Sequence, residues 1–255
     1  MSDLRDAQGK GYITKTPHYN SIFNTLEDEK LTDYLKMMIE ESSLPLRAVE
    51  TDFAVDSSGF STSRFVQWMH AKYTNPHLIQ RRQFIKCHIM CGVKTNVVTA
   101  VEMTEGFSAD SPQFKPLVEA TAKNFVMQEV SADKAYLSTA NLQTVVDNHA
   151  QPYIPFKTNS AKEKTQQRSV PAIWKQMFHL YSYNTERFLQ HYHKRSNVET
   201  TFHMIKAKFG IALRSKSKTA QINEALCKVL CHNICCLIQS MFELNIKPEF
   251  WNEAA

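Results

Sequence analysis

From Val49 the chain alternates with a period of two. Val49, Thr51, Phe53 and Val55 take one face, while Glu50, Asp52, Ala54 and Asp56 take the other, as expected for a strand with two unlike sides. Ser57-Ser58-Gly59 reads as the turn that ends this strand at Asp56. Gln83 to Val93 and Asn96 to Thr104 predict two more strands joined around Cys91-Gly92, giving a three-stranded antiparallel opening. Ahead of it, residues 1–46 carry helical periods. One run passes through Ile22, Phe23 and Leu26 after Pro17, and a second through Leu31, Leu35, Met38 and Ile39 until Ser42-Ser43-Leu44-Pro45 stops it. Downstream, Ser111-Pro112 opens a helix through Phe114, Leu117 and Val118, with proline tolerated in the first turn. Val126 to Ala132 predicts a short strand that delivers Asp133 at its C-terminal end, Leu142 to His149 a helix, and Tyr153 to Phe156 a last strand. The order β-β-β-α-β-α-β followed by helices indicates a mixed α/β domain.

Residues 157–169 are polar and aperiodic and predict a loop. Helices follow from about Ala172 to Phe209, broken near Tyr183-Asn184, and from about Ala220 to Leu244. Within the first of these, Tyr192, Arg195, Glu199 and Lys206 stand at the spacing Y-x2-R-x3-E-x6-K. On a continuous helix all four fall within about 60° of one another. Val198, Phe202, Ile205 and Phe209 form an apolar stripe beside them. Read by itself, this is an amphipathic surface helix with an Arg195/Glu199 pair at i,i+4.

Composition narrows the class. A chain of 255 residues with 43% hydrophobic residues, 22% charged residues and 6 glycines can bury a substantial core and is globular rather than disordered. The formal charge of +5 permits a polyanionic partner without requiring one. No secretory signal pattern opens the sequence, and Lys228, His232 and Asn233 interrupt the most apolar run, Ala225 to Ile238. A soluble intracellular protein is therefore expected, with its six cysteines reduced. Cys227, Cys231, Cys235 and Cys236 with His232 lie on a helical run, and Cys87, His88 and Cys91 on a strand. Both groups read as packing rather than metal ligation.

Three carboxylates stand where the pattern predicts an edge of the sheet or a helix face: Asp56, Asp133 and Glu199. Such a set suits two magnesium ions roughly 3.5–4 Å apart, which activate an attacking oxygen and stabilise a leaving one. An aspartate at a strand end is more commonly a turn former or helix cap. Asp52 shares a strand face with Asp56 and is its competitor, while Asp110 reads as the cap of the helix that follows it.

The segments Val55-Asp56-Ser57-Ser58-Gly59-Phe60 and Ala132-Asp133-Lys134-Ala135-Tyr136, with the Y-R-E-K pattern, resemble the catalytic core of the DDE transposases of prokaryotic insertion sequences. The resemblance spans about Tyr12 to Leu244. It implies a ribonuclease-H-like mixed sheet flanked by helices, and magnesium-dependent cleavage and transfer of DNA strands, with manganese able to substitute. It assigns Asp56, Asp133 and Glu199 as catalytic metal ligands, and Tyr192, Arg195 and Lys206 as signature positions whose basic members meet transposon-end phosphates. It further implies a nucleoid-associated cytoplasmic protein that binds transposon ends and target DNA, with at least two protomers joining two ends. Glu199 is expected to approach both aspartates without Arg195 closing over it as a surface pair.

The expected organisation is a helical segment at 1–46, a DDE catalytic domain at 47–245 and a tail at 246–255. Met1-Ser-Asp-Leu-Arg-Asp looks like a start inside the family's longer end-recognition region, and the interval from Asp133 to Glu199 leaves no room for a large β-rich insertion. Arg214, Lys216 and Lys218 after Gly210 are candidate DNA contacts, as are Lys157, Lys162, Lys164 and Arg168 in the polar loop, although charge runs are usually solvated faces. Trp68 and Trp174 are core or stacking candidates. Two other readings stay open: a truncated, non-catalytic regulator that binds DNA or transposase, and a nuclease of the same fold.

Overall fold

The computed structural model describes residues 2–62, 84–157, 165 and 170–248. Trp68, Lys162, Lys164 and Arg168 lie outside the described residues. Among those described, one sheet of five strands has the order β3-β2-β1-β4-β5. Its strands are β1 (Asp52–Ser61), β2 (Phe84–Gly92), β3 (Val98–Glu105), β4 (Glu129–Ala132) and β5 (Gln151–Tyr153). The first three pair antiparallel, whereas β4 and β5 run parallel to β1. Parallel neighbours need long crossovers. The chain supplies them as α4 (Ser111–Ala122) between β3 and β4 and α5 (Thr139–Asp147) between β4 and β5.

β1 does not end at Asp56. Ser57, Ser58 and Gly59 continue it, level with His88, Cys87 and Lys86 of β2. The turn propensity of Ser-Ser-Gly yields to the buried ladder of β2, all nine of whose residues are buried. Asp56 thus sits in the middle of a central strand.

The alternation along β1 sorts the core into two layers. Phe53 and Val55 join Phe114 and Leu117 of α4, Leu142 of α5 and Trp174 and Met177 of α6 (Ala172–Tyr183). Ala54 and Phe60 face the opposite way, toward Leu35 and Ile39 of α3 (Glu29–Ser43), Val198, Phe202 and Ile205 of α8 (Ser196–Phe209), and Leu226 and Val229 of α9 (Lys218–Glu243). Trp174 is a core residue whose indole N–H donates to Thr165 Oγ1 at 3.0 Å. Upstream, α1 (Ser2–Gly9) and α2 (Tyr19–Leu26) precede α3, and α2 buries none of its residues. Asn223 of α9 ties this region down, accepting from Thr32 and donating to the carbonyls of Leu26 and Asp28.

Among the described residues α9 is the one helix long and apolar enough to cross a membrane by length and hydropathy, and about half of that window is buried within the fold. Its polar positions are used internally. Asn233 bonds to the backbone of Val98 and Ile39, and Lys228 Nζ donates to the carbonyls of Gly210 and Ala212. The cysteine expectation holds for Cys87, Cys91 and Cys236, which are buried, but not for Cys231, which is exposed. Ile234 and Ile238 are exposed with it, so α9 carries more apolar surface than its buried face requires.

Candidate active site

The pairing of β1 with β4 sets Val55 level with Ala132. The next residues, Asp56 and Asp133, therefore come side by side where β4 stops. Asp133 is extended (φ −66°, ψ 158°), and its carboxylate accepts from the amide of Lys134 at 2.6 Å. The Asp56 carboxylate accepts from the amide of Ser57 at 2.8 Å. Burial pushes the Asp56 carboxyl above its ordinary value. The Ser57 amide and Arg195 oppose that rise, while the neighbouring charges of Asp133 and Glu199 add to it.

The Y-R-E-K stretch is not one continuous helix. Tyr192 ends α7 (Thr185–Tyr192), Arg195 ends a 3-10 turn (His193–Arg195), and Glu199 lies in the first turn of α8 with Lys206 in its last. The tighter 3-10 turn rotates Arg195 relative to an uninterrupted helix, and the apolar stripe of α8 still packs as expected, with Val198, Phe202 and Ile205 buried. Arg195 donates from Nη1 to Asp56 at 2.9 Å and from Nη2 to Glu199. This overturns the expectation that Glu199 stays clear of Arg195. The guanidinium is a fork with donors on two nitrogens, so one cation meets both the largely buried Asp56 and the exposed Glu199.

The remaining signature residues also turn inward. Tyr192 is half-buried, stacked on Phe188 and lying under the guanidinium of Arg195, 5.8 Å from the ring centroid. Lys206 Nζ donates to Ser58 Oγ at 2.6 Å over the rings of Phe60 and Phe202, and burial pulls its pKa down to about 8. Arg214, Lys216 and Lys218 are exposed. Gly210, with φ of 87°, ends α8 in a conformation costly to other residues. The chain then returns to pair Ala212 with Ser61 at the end of β1. Arg214 and Ser215 are held there by their amides to Glu224, and Lys218 pairs with Glu105 at 2.9 Å.

Asp52, the competitor of Asp56, and Asp110, the expected cap, both have other partners. Asp52 binds Lys194 Nζ at 2.7 Å, which also binds Glu129 at 2.7 Å. Asp110 stands at the N-cap position of α4 but makes no side-chain cap bond, its backbone being in the αR region (φ −78°, ψ −41°) rather than extended. Its carboxylate instead accepts from Ser57 Oγ and pairs with Lys86, each at 2.6 Å, while His88 Nδ1 stands 3.4 Å away. No sequence signal marks Lys194 or Lys86, because their partners are remote in the chain.

The donor set of Asp56, Asp133 and Glu199 consists of carboxylate oxygens, which suit a hard divalent cation, and Arg195 shows that positive charge is favoured between two of them. Among the described residues, no three His, Cys, Asp or Glu side chains gather closely enough to hold a metal ion. A metal bound by Asp56 and Glu199 would have to displace Arg195 from both.

The sheet order, with parallel β4 and β5 beside an antiparallel β1-β2-β3 unit and helices on both faces, defines a ribonuclease-H-like α/β fold. A family model described as "Transposase DDE domain" matches residues 47–234. The chain belongs to this family of DDE-type transposases, whose members act on DNA and generally use divalent metal ions. No curated protein matches the chain.

Proposed function

We propose that this chain catalyses divalent-metal-dependent cleavage and transfer of DNA strands in the transposition of an insertion sequence, with Asp56, Asp133 and Glu199 as its catalytic metal ligands. The observation that supports the proposal is that three separate segments bring carboxylates toward one place: Asp56 and Asp133 directly follow Val55 and Ala132, the last residues paired between β1 and β4, and Glu199 shares Arg195 with Asp56. When bound, magnesium or manganese supplies activation of the attacking oxygen and charge neutralisation at the leaving oxygen.

The chain's own residues bind and orient DNA. Arg195, released from Asp56 and Glu199, would meet a phosphate of the bound DNA. Lys206 lies farther along the same face of β1 beside Ser58. Tyr192 supports the guanidinium from below. Exposed Arg214, Lys216 and Lys218 extend the positive surface, where phosphate contacts add affinity without sequence preference. Transposon ends and target DNA are the substrates, and two or more protomers act together when two ends are joined. The proposed units are a helical segment at 1–46, a catalytic domain at 47–245 and a tail at 246–255, in a nucleoid-associated cytoplasmic protein.

The test is strand cleavage and transfer on DNA carrying the inverted repeats that flank the coding sequence, in magnesium and in manganese. Wild type should act only with metal, and Asp56→Ala, Asp133→Ala and Glu199→Gln should each be inactive while retaining DNA binding. Equal activity in all four proteins would remove the site assignment. DNA binding without cleavage by wild type would favour a non-catalytic regulator.

A further inference from the structure

One cluster of charged side chains stands outside the catalytic set yet touches the segment that carries Arg195 and Glu199. Asp52 opens β1 and Glu129 opens β4, and the two are level in the parallel ladder. Adjacent strands lie about 4.8 Å apart, so these like charges repel unless a cation lies between them. Lys194 supplies it, with Nζ 2.7 Å from Asp52 Oδ2 and 2.7 Å from Glu129 Oε2. His191 Nδ1 lies 2.7 Å from the other oxygen of Glu129, and its ring stacks on Tyr153 of β5 at 4.6 Å and 6°. Two residues of the α7-to-α8 junction are thereby fastened across three neighbouring strands.

The backbone stays in the αR region through the junction at Tyr192, His193, Arg195 and Ser196, so its own hydrogen bonds are local and do not fix where it lies on the sheet. The nearby bond from Asn197 Nδ2 to the carbonyl of Lys194 at 3.1 Å stays within the junction itself and cannot fix its place on the sheet. Consecutive residues 194 and 195 instead reach Asp52 and Asp56, four positions apart on one face of β1. Resting on the reading of Asp56, Asp133 and Glu199 as the catalytic site, we infer that Lys194 is a positioning residue, which by bridging Asp52 and Glu129 sets the junction that delivers Arg195 and Glu199 to Asp56. A competing role is charge compensation alone, in which Lys194 serves only to keep two carboxylates apart.

Three variants separate these roles: Lys194→Met, Lys194→Arg, and the triple variant Asp52→Asn, Glu129→Gln, Lys194→Met, which removes the bridge without leaving an unpaired carboxylate. The measurements are thermal unfolding, manganese affinity by electron paramagnetic resonance, and kcat and KM on end-containing DNA. The triple variant should fold and keep its KM, but lose roughly tenfold or more in kcat, since misplacing a group by about 1 Å can cost up to about a hundredfold. Its manganese affinity should change as well, since both Arg195, which occupies the carboxylates, and Glu199 are displaced. Lys194→Arg, which retains a cation able to bridge both carboxylates, should keep most of the wild-type kcat and manganese affinity. A triple variant with wild-type kcat and manganese affinity would overturn the positioning role while leaving the catalytic reading intact. A wild type that neither cleaves DNA nor binds manganese would overturn the catalytic reading, and the positioning role with it.

Discussion

Arg195 Nη1 lies 2.9 Å from Asp56 Oδ2, joining residues 139 positions apart in the chain. The same guanidinium holds Glu199, so one cation compensates two proposed ligands before any DNA is present. A guanidinium and a divalent ion cannot both take these oxygens. Arg195→Gln should therefore bind manganese more tightly than wild type in the absence of DNA. Asp56, largely buried, is then left without its cation, which should lower folding stability by about 1–3 kcal/mol, while the exposed Glu199 adds little. Titration with manganese, read by paramagnetic resonance, checks the first effect and thermal unfolding the second. An unchanged manganese affinity would show that Arg195 does not compete for the site.

Lys206 offers a pH-dependent test of the proposed DNA-binding surface. Burial beneath Ser58 and between Phe60 and Phe202 lowers its pKa to about 8. The ammonium is thus present below that value and lost above it. DNA affinity should fall as pH rises from about 7 to about 9, and Lys206→Arg, which stays charged throughout, should flatten the profile. Fluorescence anisotropy at constant ionic strength provides the measurement. Identical profiles for both proteins would remove Lys206 from the interface.

Burial of His88 is expected to make part of the stability depend on acid pH. The residue is fully buried, with Nε2 2.8 Å from Thr104 Oγ1. Burial lowers its pKa from 6.5 to about 4, with Lys86 adding to the effect and Asp110 opposing it. The unfolded chain takes up the proton first, so stability falls as pH drops from 6.5 toward 4, by at most about 3 kcal/mol from this group. His88→Gln removes the titration. Its unfolding midpoint should fall less steeply across that window than that of the wild type. Parallel slopes would exclude His88 as the source.

Gly92 is required by a close approach of a side chain rather than by its backbone angle. A Cβ there would lie 2.6 Å from Glu50 Cγ and closer still to Cδ. Glu50 has nowhere to go. It is fully buried and accepts from Thr95 N at 2.5 Å, Thr95 Oγ1 at 2.7 Å and Lys94 N at 3.2 Å. Gly92→Ala should cost about 1–3 kcal/mol by overpacking, measured by denaturant unfolding. Serving as a control, the exposed Gly9, whose added Cβ meets nothing within 4 Å, should tolerate alanine.

Much of the architecture is legible in the sequence. The period-two pattern around Phe53 and Val55 places these residues in one layer and Ala54 in the other. The stripe of Val198, Phe202 and Ile205 marks the buried side of α8. Where local signals competed with long-range pairing, they misled. Ser-Ser-Gly read as a turn, yet it is held in β1 by β2. The Y-R-E-K spacing read as one helix, yet a 3-10 turn divides it. Asp110 read as a helix cap, yet it is drawn into a polar cluster with Ser57 and Lys86.

The sequence by itself determined the order of strands and helices, their buried faces, and the three candidate carboxylates with their accompanying cations. Those features depend on periods of two and 3.6 residues, which a short window contains. Tertiary structure alone decided the register that sets Asp56 beside Asp133, the choice of Arg195 as the cation between Asp56 and Glu199, and the use of Asp52 to hold Lys194. Pairings across 139 and 142 residues have no local period. They follow from how the sheet and its covering helices pack, and from the need to compensate charge wherever that packing removes water.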